Sequence, residues 1–188
     1  MDRKFEQGSA ILATLALTTM MGLFVMSALA MASIINTNRV GSSLTFVLSL
    51  ISSNTRATLN NEGAWQQTLQ NPNNSSLICL RTHATCPITG GTFSLYDAAG
   101  KIMYDSIDPK SGFTQAGSPC TSFGTSGNEN CLYRVELTWR PNCGSDCKDP
   151  NEIILVTKFL RSKKAPGTIN VKKYDFEVTR RNLSSGKF

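Results

Sequence analysis

A chain of 188 residues, 40% hydrophobic and 17% charged, suits one domain with an appendage and is too short for two full catalytic domains. Charge is thinner than the ~25% usual in soluble domains, and the shortfall is local, because no ionisable side chain occurs from Ser9 to Asn38. The net charge of +6 is local too: residues 158–188 carry Lys158, Arg161, Lys163, Lys164, Lys172, Lys173, Arg180, Arg181 and Lys187 against only Asp175 and Glu177. An uncharged block at one end and a basic segment at the other argue against a purely cytosolic enzyme.

The first element is a short charged segment, Met1–Gly8, followed by an apolar run from Ser9 to Ile35. As a helix its 27 residues would reach roughly 40 Å at ~1.5 Å per residue, enough to cross ~30 Å of hydrocarbon. It holds no proline, only Gly22, and hydroxyls but no charges, so it belongs in a membrane or another apolar assembly. Three readings fit it. A secretory signal peptide would be cut after Ala30 or Ala32, where Ala28-Leu29-Ala30 and Ala30-Met31-Ala32 have small residues at the required spacing. Its apolar stretch is longer than the usual ~7–15 residues, however, and Asp2 and Glu6 cancel Arg3 and Lys4 ahead of it. A plain single-pass anchor is the second reading. The third takes the Gly8–Ser9 junction as the end of a cytoplasmic leader.

That junction carries a family resemblance. A short charged leader ending in glycine, with an uncharged helix starting at the next residue, resembles a type IV prepilin, either a minor pilin or a pseudopilin. The resemblance covers residues 1–35 through this motif and the rest of the chain through architecture alone. It implies cleavage after Gly8 by a prepilin peptidase, N-methylation of Ser9, and a helix retained as the packing core of a filament. It further implies other pilins or pseudopilins as partners through that helix, together with inner-membrane assembly machinery. The location implied is the bacterial inner membrane, single-pass, with the globular part in the periplasm and later in a filament. The chain departs from the pattern in two places: Ser9 replaces a frequent phenylalanine, and Ala13 stands at the fifth mature position, usually glutamate. In the family that carboxylate pairs with a neighbouring subunit's amino terminus, and a buried charge is costly unless paired. Its absence favours a subunit at or near the filament tip, with a role in assembly initiation or surface binding. Within the helix, Ala10, Thr14, Thr18 and Gly22 line one small-residue face.

Beyond Ile35 the apolar residues thin to one stripe. Val40, Leu44, Val47, Leu48, Ile51 and Leu59 recur at spacings of three and four, predicting an amphipathic helical continuation within residues 36–70. It ends near Asn60-Asn61-Glu62-Gly63, or gains two turns over Ala64–Gln70 before Asn71-Pro72. Residues 71–188 form the globular part. Thr92–Tyr96 and Lys101–Tyr104 flank Asp97-Ala98-Ala99-Gly100 as a hairpin. Leu132–Arg140 alternates, with Tyr133, Val135, Leu137 and Trp139 on one face and Arg134, Glu136, Thr138 and Arg140 on the other. Glu152–Leu160 is more continuously apolar and reads as a central strand. Ile169–Val178 alternates again, with Tyr174, Phe176 and Val178 on one face. The fold class is therefore α+β: a long N-terminal helix, membrane half then amphipathic half, packed on four or five antiparallel strands as in pilins.

The cysteines, Cys79, Cys86, Cys120, Cys131, Cys143 and Cys147, all follow the apolar segment. An even number on one side of a membrane points to an oxidising compartment and disulfides. Six cysteines allow 15 pairings; the simplest is sequential, each closing a short loop beside a predicted strand. No metal is expected: Cys143-Gly-Ser-Asp-Cys147 and Cys79…Cys86 around His83, the sole histidine, lack paired zinc-ribbon spacing. Asp105, Asp108, Asp146 and Asp149 do not form a spaced calcium loop.

There is no nucleophile elbow, phosphate-binding glycine loop or Cys/His/Asn grouping, so neither catalysis nor a cofactor is expected. The rival to a filament subunit is an exported or membrane-anchored, adhesin-like binding module. Lys163-Lys164, Lys172-Lys173 and Arg180-Arg181 are candidate contacts for DNA phosphates or an anionic surface ligand. The competing explanation for them is a sheet with basic residues on its solvent face.

Overall fold

The computed structural model describes residues 43–125, 130–144, 147–163, 165 and 169–181. The Gly8–Ser9 junction, the apolar run that follows it, Lys164 and Asp146 lie outside these residues. Among the described residues no helix is long and apolar enough to cross a membrane.

Among the described residues helix α1 covers 43–60. Leu44, Leu48, Ile51, Thr55 and Leu59 are buried along one face, the stripe expected from the spacing. Thr55 sits in that stripe because its hydroxyl donates back to the Ile51 carbonyl at 2.7 Å and so is not orphaned. Asn61 then turns the chain out of the helix with ψ 123°, and its side chain accepts from the Ala64 N–H at 2.9 Å. One asparagine therefore ends α1 and caps α2 (Glu62–Gln70), so the extra turns exist as a second helix rather than an extension. Asn71 is extended, as the residue before Pro72 must be, and α2 stops there. A 3-10 turn (Ser75–Leu77) and a short helix α3 (Ile78–Thr82) follow.

Among the described residues eight strands come next: β1 (Gly91–Thr92), β2 (Leu95–Tyr96), β3 (Ile102–Tyr104), β4 (Gly112–Phe113), β5 (Pro119–Cys120), β6 (Tyr133–Pro141), β7 (Glu152–Arg161) and β8 (Phe176–Arg181). β2 and β3 form a two-stranded hairpin. The other six make one antiparallel sheet in the order β5-β4-β6-β7-β8, with β1 also on β6. A helix-plus-antiparallel-sheet α+β plan is thus present, with more strands than the four or five expected. The additional ones, β1, β4 and β5, are two residues long, too short to show a period of two.

Two segments differ from expectation for identifiable reasons. Thr92–Tyr96 is not one strand. Thr92 pairs with Thr138 on β6, whereas Leu95 pairs with Tyr104 on β3. Between them, the buried Asn74 side chain accepts from the Ser94 N–H (2.7 Å) and donates to the Ser94 carbonyl (2.8 Å), occupying the place of a neighbouring strand. Ile169–Val178 begins as a 3-10 turn, Val171–Tyr174, capped by Asn170, and becomes a strand only at Phe176.

The long strands follow their sequence patterns. Tyr133, Val135, Leu137 and Trp139 of β6 are all buried on the core side. β7 lies between β6 and β8, as its continuous apolarity suggested. The Tyr174 hydroxyl donates to Thr45 O (3.3 Å) and the Ser52 hydroxyl to Tyr174 O (3.2 Å), fastening α1 to the 3-10 turn before β8.

Candidate functional site

The cysteines form three disulfides in sequential order: Cys79–Cys86, Cys120–Cys131 and Cys143–Cys147, with Cα separations of 5.2, 5.7 and 5.6 Å. The middle one ties the β4–β5 hairpin to the entry of β6. A Cβ on Gly112, at the open end of the hairpin, would stand 2.5 Å from Tyr133 O and 3.2 Å from Cys131 Sγ, so the close strand approach requires glycine there.

The other two disulfide loops are joined to each other. Thr85 and Lys148 form an antiparallel bridge, and the Cys86 N–H donates to the Cys147 carbonyl at 3.0 Å. His83 Nδ1 and Asp149 Oδ1 meet at 2.9 Å across the same junction. His83 (φ 53°) and Asp149 (φ 47°) are the only non-glycine residues with positive φ among the described residues. Left-handed backbone is uncommon for such residues and persists where surrounding contacts fix it, here disulfides and a ladder bond. His83 ends α3 inside the Cys79–Cys86 loop, with Asp149 as a partner that the sequence did not indicate.

The basic residues separate into two groups. Lys163, Lys172 and Lys173 are exposed, and Lys173 lies over the Tyr174 ring at 4.9 Å. Arg180 is instead committed to the helix corner. Its guanidinium donates to Leu59 O at 2.6 Å, pairs with Glu62, and stacks 5.2 Å over the Trp65 ring. Arg181 pairs with Glu152 at 2.7 Å. That pairing and the Asn142 amide hold the Glu152 carboxyl below the usual carboxylate range. Two of the six cations proposed for anion contact therefore already have carboxylate partners.

Two of the four aspartates considered for calcium, Asp105 and Asp108, serve as turn acceptors. Asp105 accepts from Ser94 Oγ (2.7 Å) and from the backbone N–H groups of Ile107 (3.0 Å) and Asp108 (3.1 Å). Burial pushes its carboxyl up, but these bonds and nearby Arg134 outweigh it and leave the pKa lowered. Asp108 accepts from the Lys110 N–H at 2.9 Å.

An open cleft of about 60 Å³ runs between β3 and the β4–β5 hairpin, with Met103, Tyr104, Phe113, Pro119 and Val135 on its walls. Tyr104, its pKa raised by burial, and Asp105 are the ionisable groups there, and they do not form a nucleophile–base pair. No group of three or more metal-ligating side chains occurs among the described residues. On the outward side of α1, Phe46 and Leu50 are 69% and 48% exposed, one helical turn apart.

Several structural residues carried no sequence signal. Ser106 Oγ donates to Val135 O (3.1 Å) and accepts from the Leu137 N–H (2.9 Å), filling a gap in the β6 edge between β4 and β1. Arg134, expected on the outer face of β6, is buried there, donating to the carbonyls of Ser106 (2.7 Å) and Asp108 (3.0 Å). The chain matches no protein-family model, no curated protein and no solved structure.

Proposed function

We propose that this chain is a minor pilin or pseudopilin, a structural subunit of a type IV pilus or a type II secretion-like filament. The observation that carries this reading is the Gly8–Ser9 junction: a charged segment ending in glycine, directly followed by 30 residues without an ionisable side chain. The α+β plan supports it, because α1 buries one stripe against the sheet while Phe46 and Leu50 stay exposed on the other side. A helix with large apolar side chains on both faces suits a subunit whose neighbours are also helices. Oxidised cysteines suit a domain exported from the cytoplasm.

In this reading a prepilin peptidase cuts after Gly8, Ser9 becomes the methylated terminus, and the inner-membrane assembly machinery draws the chain into a filament beside other pilins. Ala13 in place of the usual glutamate leaves no carboxylate to pair with a neighbour's amine, which fits a tip-proximal position and a part in initiating assembly. The work is mechanical and recognitional: priming the filament and presenting a disulfide-stiffened surface.

A Gly8→Val variant in the native host tests it. Cβ branching at Gly8 should block processing, so the variant keeps the residues before Ser9 and is lost from sheared filaments. A variant processed to the wild-type mass, or a wild-type chain processed elsewhere, would contradict the proposal.

A further inference from the structure

Cys86 and Cys147 belong to different disulfides, yet they face each other. Beside the isolated Thr85–Lys148 bridge, the Cys86 N–H donates to the Cys147 carbonyl at 3.0 Å, so the antiparallel register set by the bridge places the two cysteines opposite each other. Opposed residues on antiparallel chains have Cα atoms about 4.5–5.5 Å apart and side chains on the same face. A pair at that ideal spacing lies inside the ~4.4–6.8 Å window in which a disulfide closes without backbone movement. Cys79, Cys86 and Cys147 are buried in one core cluster, with Cys143 packed against it. Cys143 alone of the four is partly open to solvent.

We propose that these four cysteines form one thiol–disulfide exchange site, with Cys143 as its entry, Cys147 as its internal nucleophile and a small-molecule or protein thiol as its substrate. An incoming thiolate attacks Cys143 Sγ, forming a mixed disulfide and releasing the Cys147 thiolate. That thiolate attacks Cys86 Sγ, so the Cys86–Cys147 bond forms, the Cys79–Cys86 bond breaks and Cys79 leaves as thiolate. A second incoming thiolate then attacks its own kind in the mixed disulfide. This frees Cys143 and completes a two-electron reduction, in which two thiols become one external disulfide. The protein keeps Cys86–Cys147 and gains thiols at Cys79 and Cys143. Each step exchanges one S–S bond for another, so the barrier is set by access and thiolate character rather than by net bond loss. The Cys120–Cys131 disulfide, at the other end of β6, takes no part.

The Cys143→Ser variant tests the internal step without any added reductant, because Cys147 then starts as a free thiol. After iodoacetamide quenching and non-reducing peptide mapping, Cys79 should carry a tenth or more of the label, the share at which the two pairings lie within about a factor of ten. A Cys86–Cys147 peptide should appear with it. Label confined to Cys147 overturns the proposal. Wild-type chain titrated with reduced glutathione, then acid-quenched, covers a variant that fails to fold. The Cys86–Cys147 peptide should accumulate before Cys120–Cys131 opens. Its absence throughout that titration, including complete resistance to glutathione, would also overturn the proposal.

Discussion

The helix corner and the paired disulfide loops show two ways of holding a polypeptide still. At the corner, α1, α2 and β8 converge on buried Leu59 and Trp65, with Arg180 tying backbone and carboxylate together above them. Few residues there are covalently constrained, and burial of large apolar side chains supplies the stability. Around Cys86 and Cys147, two short loops meet edge to edge, with a left-handed residue in one and beside the other. Cross-links and a ladder bond hold them, in addition to the burial of Cys79, Cys86 and Cys147 in the core. The first kind of stability responds to side-chain volume, and the second to redox chemistry.

Four changes sharpen that contrast, taken from the largest expected effect downward. Trp65→Ala removes a fully buried indole and should cost about 3–5 kcal/mol in urea denaturation, with the disulfide map unchanged. Replacing Cys120 and Cys131 together by serine opens an 11-residue separation, and should cost roughly 3 kcal/mol by the chain-entropy relation. The same double replacement at Cys143 and Cys147, four residues apart, should cost roughly 2 kcal/mol, so the order of the two urea midpoints is the check. Arg180→Lys keeps the charge but loses the planar fork that reaches Leu59 O and Glu62 and covers Trp65. It should destabilise by about 1.5–2 kcal/mol and fail to behave as a conservative change.

The smallest effect is pH-dependent. Asp105 has a folded pKa below its ordinary 3.8, so its contribution is complete above that value and fades as pH falls through the lower folded one. Asp105→Asn should flatten the stability profile below about pH 4 and leave the slope near neutrality unchanged, measured as urea midpoints across pH.

How far the sequence could be read depended on whether a residue's partner lay nearby. β6 alternates over nine residues beside a buried face, so Tyr133 through Trp139 announce themselves. The sequence left 15 disulfide pairings open, and the simplest of them, each cysteine with the next along the chain, is the one the structure shows. The division at Asn61 was half visible: the asparagine marked an end to α1, but its second role as a cap depends on geometry. Arg180 could not be placed, since Leu59 and Glu62 lie 121 and 118 residues away. A pair of arginines at a basic end reads equally well as an anion contact. Asn74 was hidden for the same reason, standing in a polar stretch that reads as linker while its amide acts as a strand substitute.

The most direct test of the functional account is the mass of the amino-terminal peptide of the chain recovered from its native membrane. The account predicts a mature end at Ser9 carrying an N-methyl group. An end at Met31 or Ser33 would contradict it, because the apolar helix would have been discarded and the chain released as an exported disulfide-bonded module. Residues before Ser9 still attached would also contradict it and leave a membrane-anchored domain in place of a filament subunit.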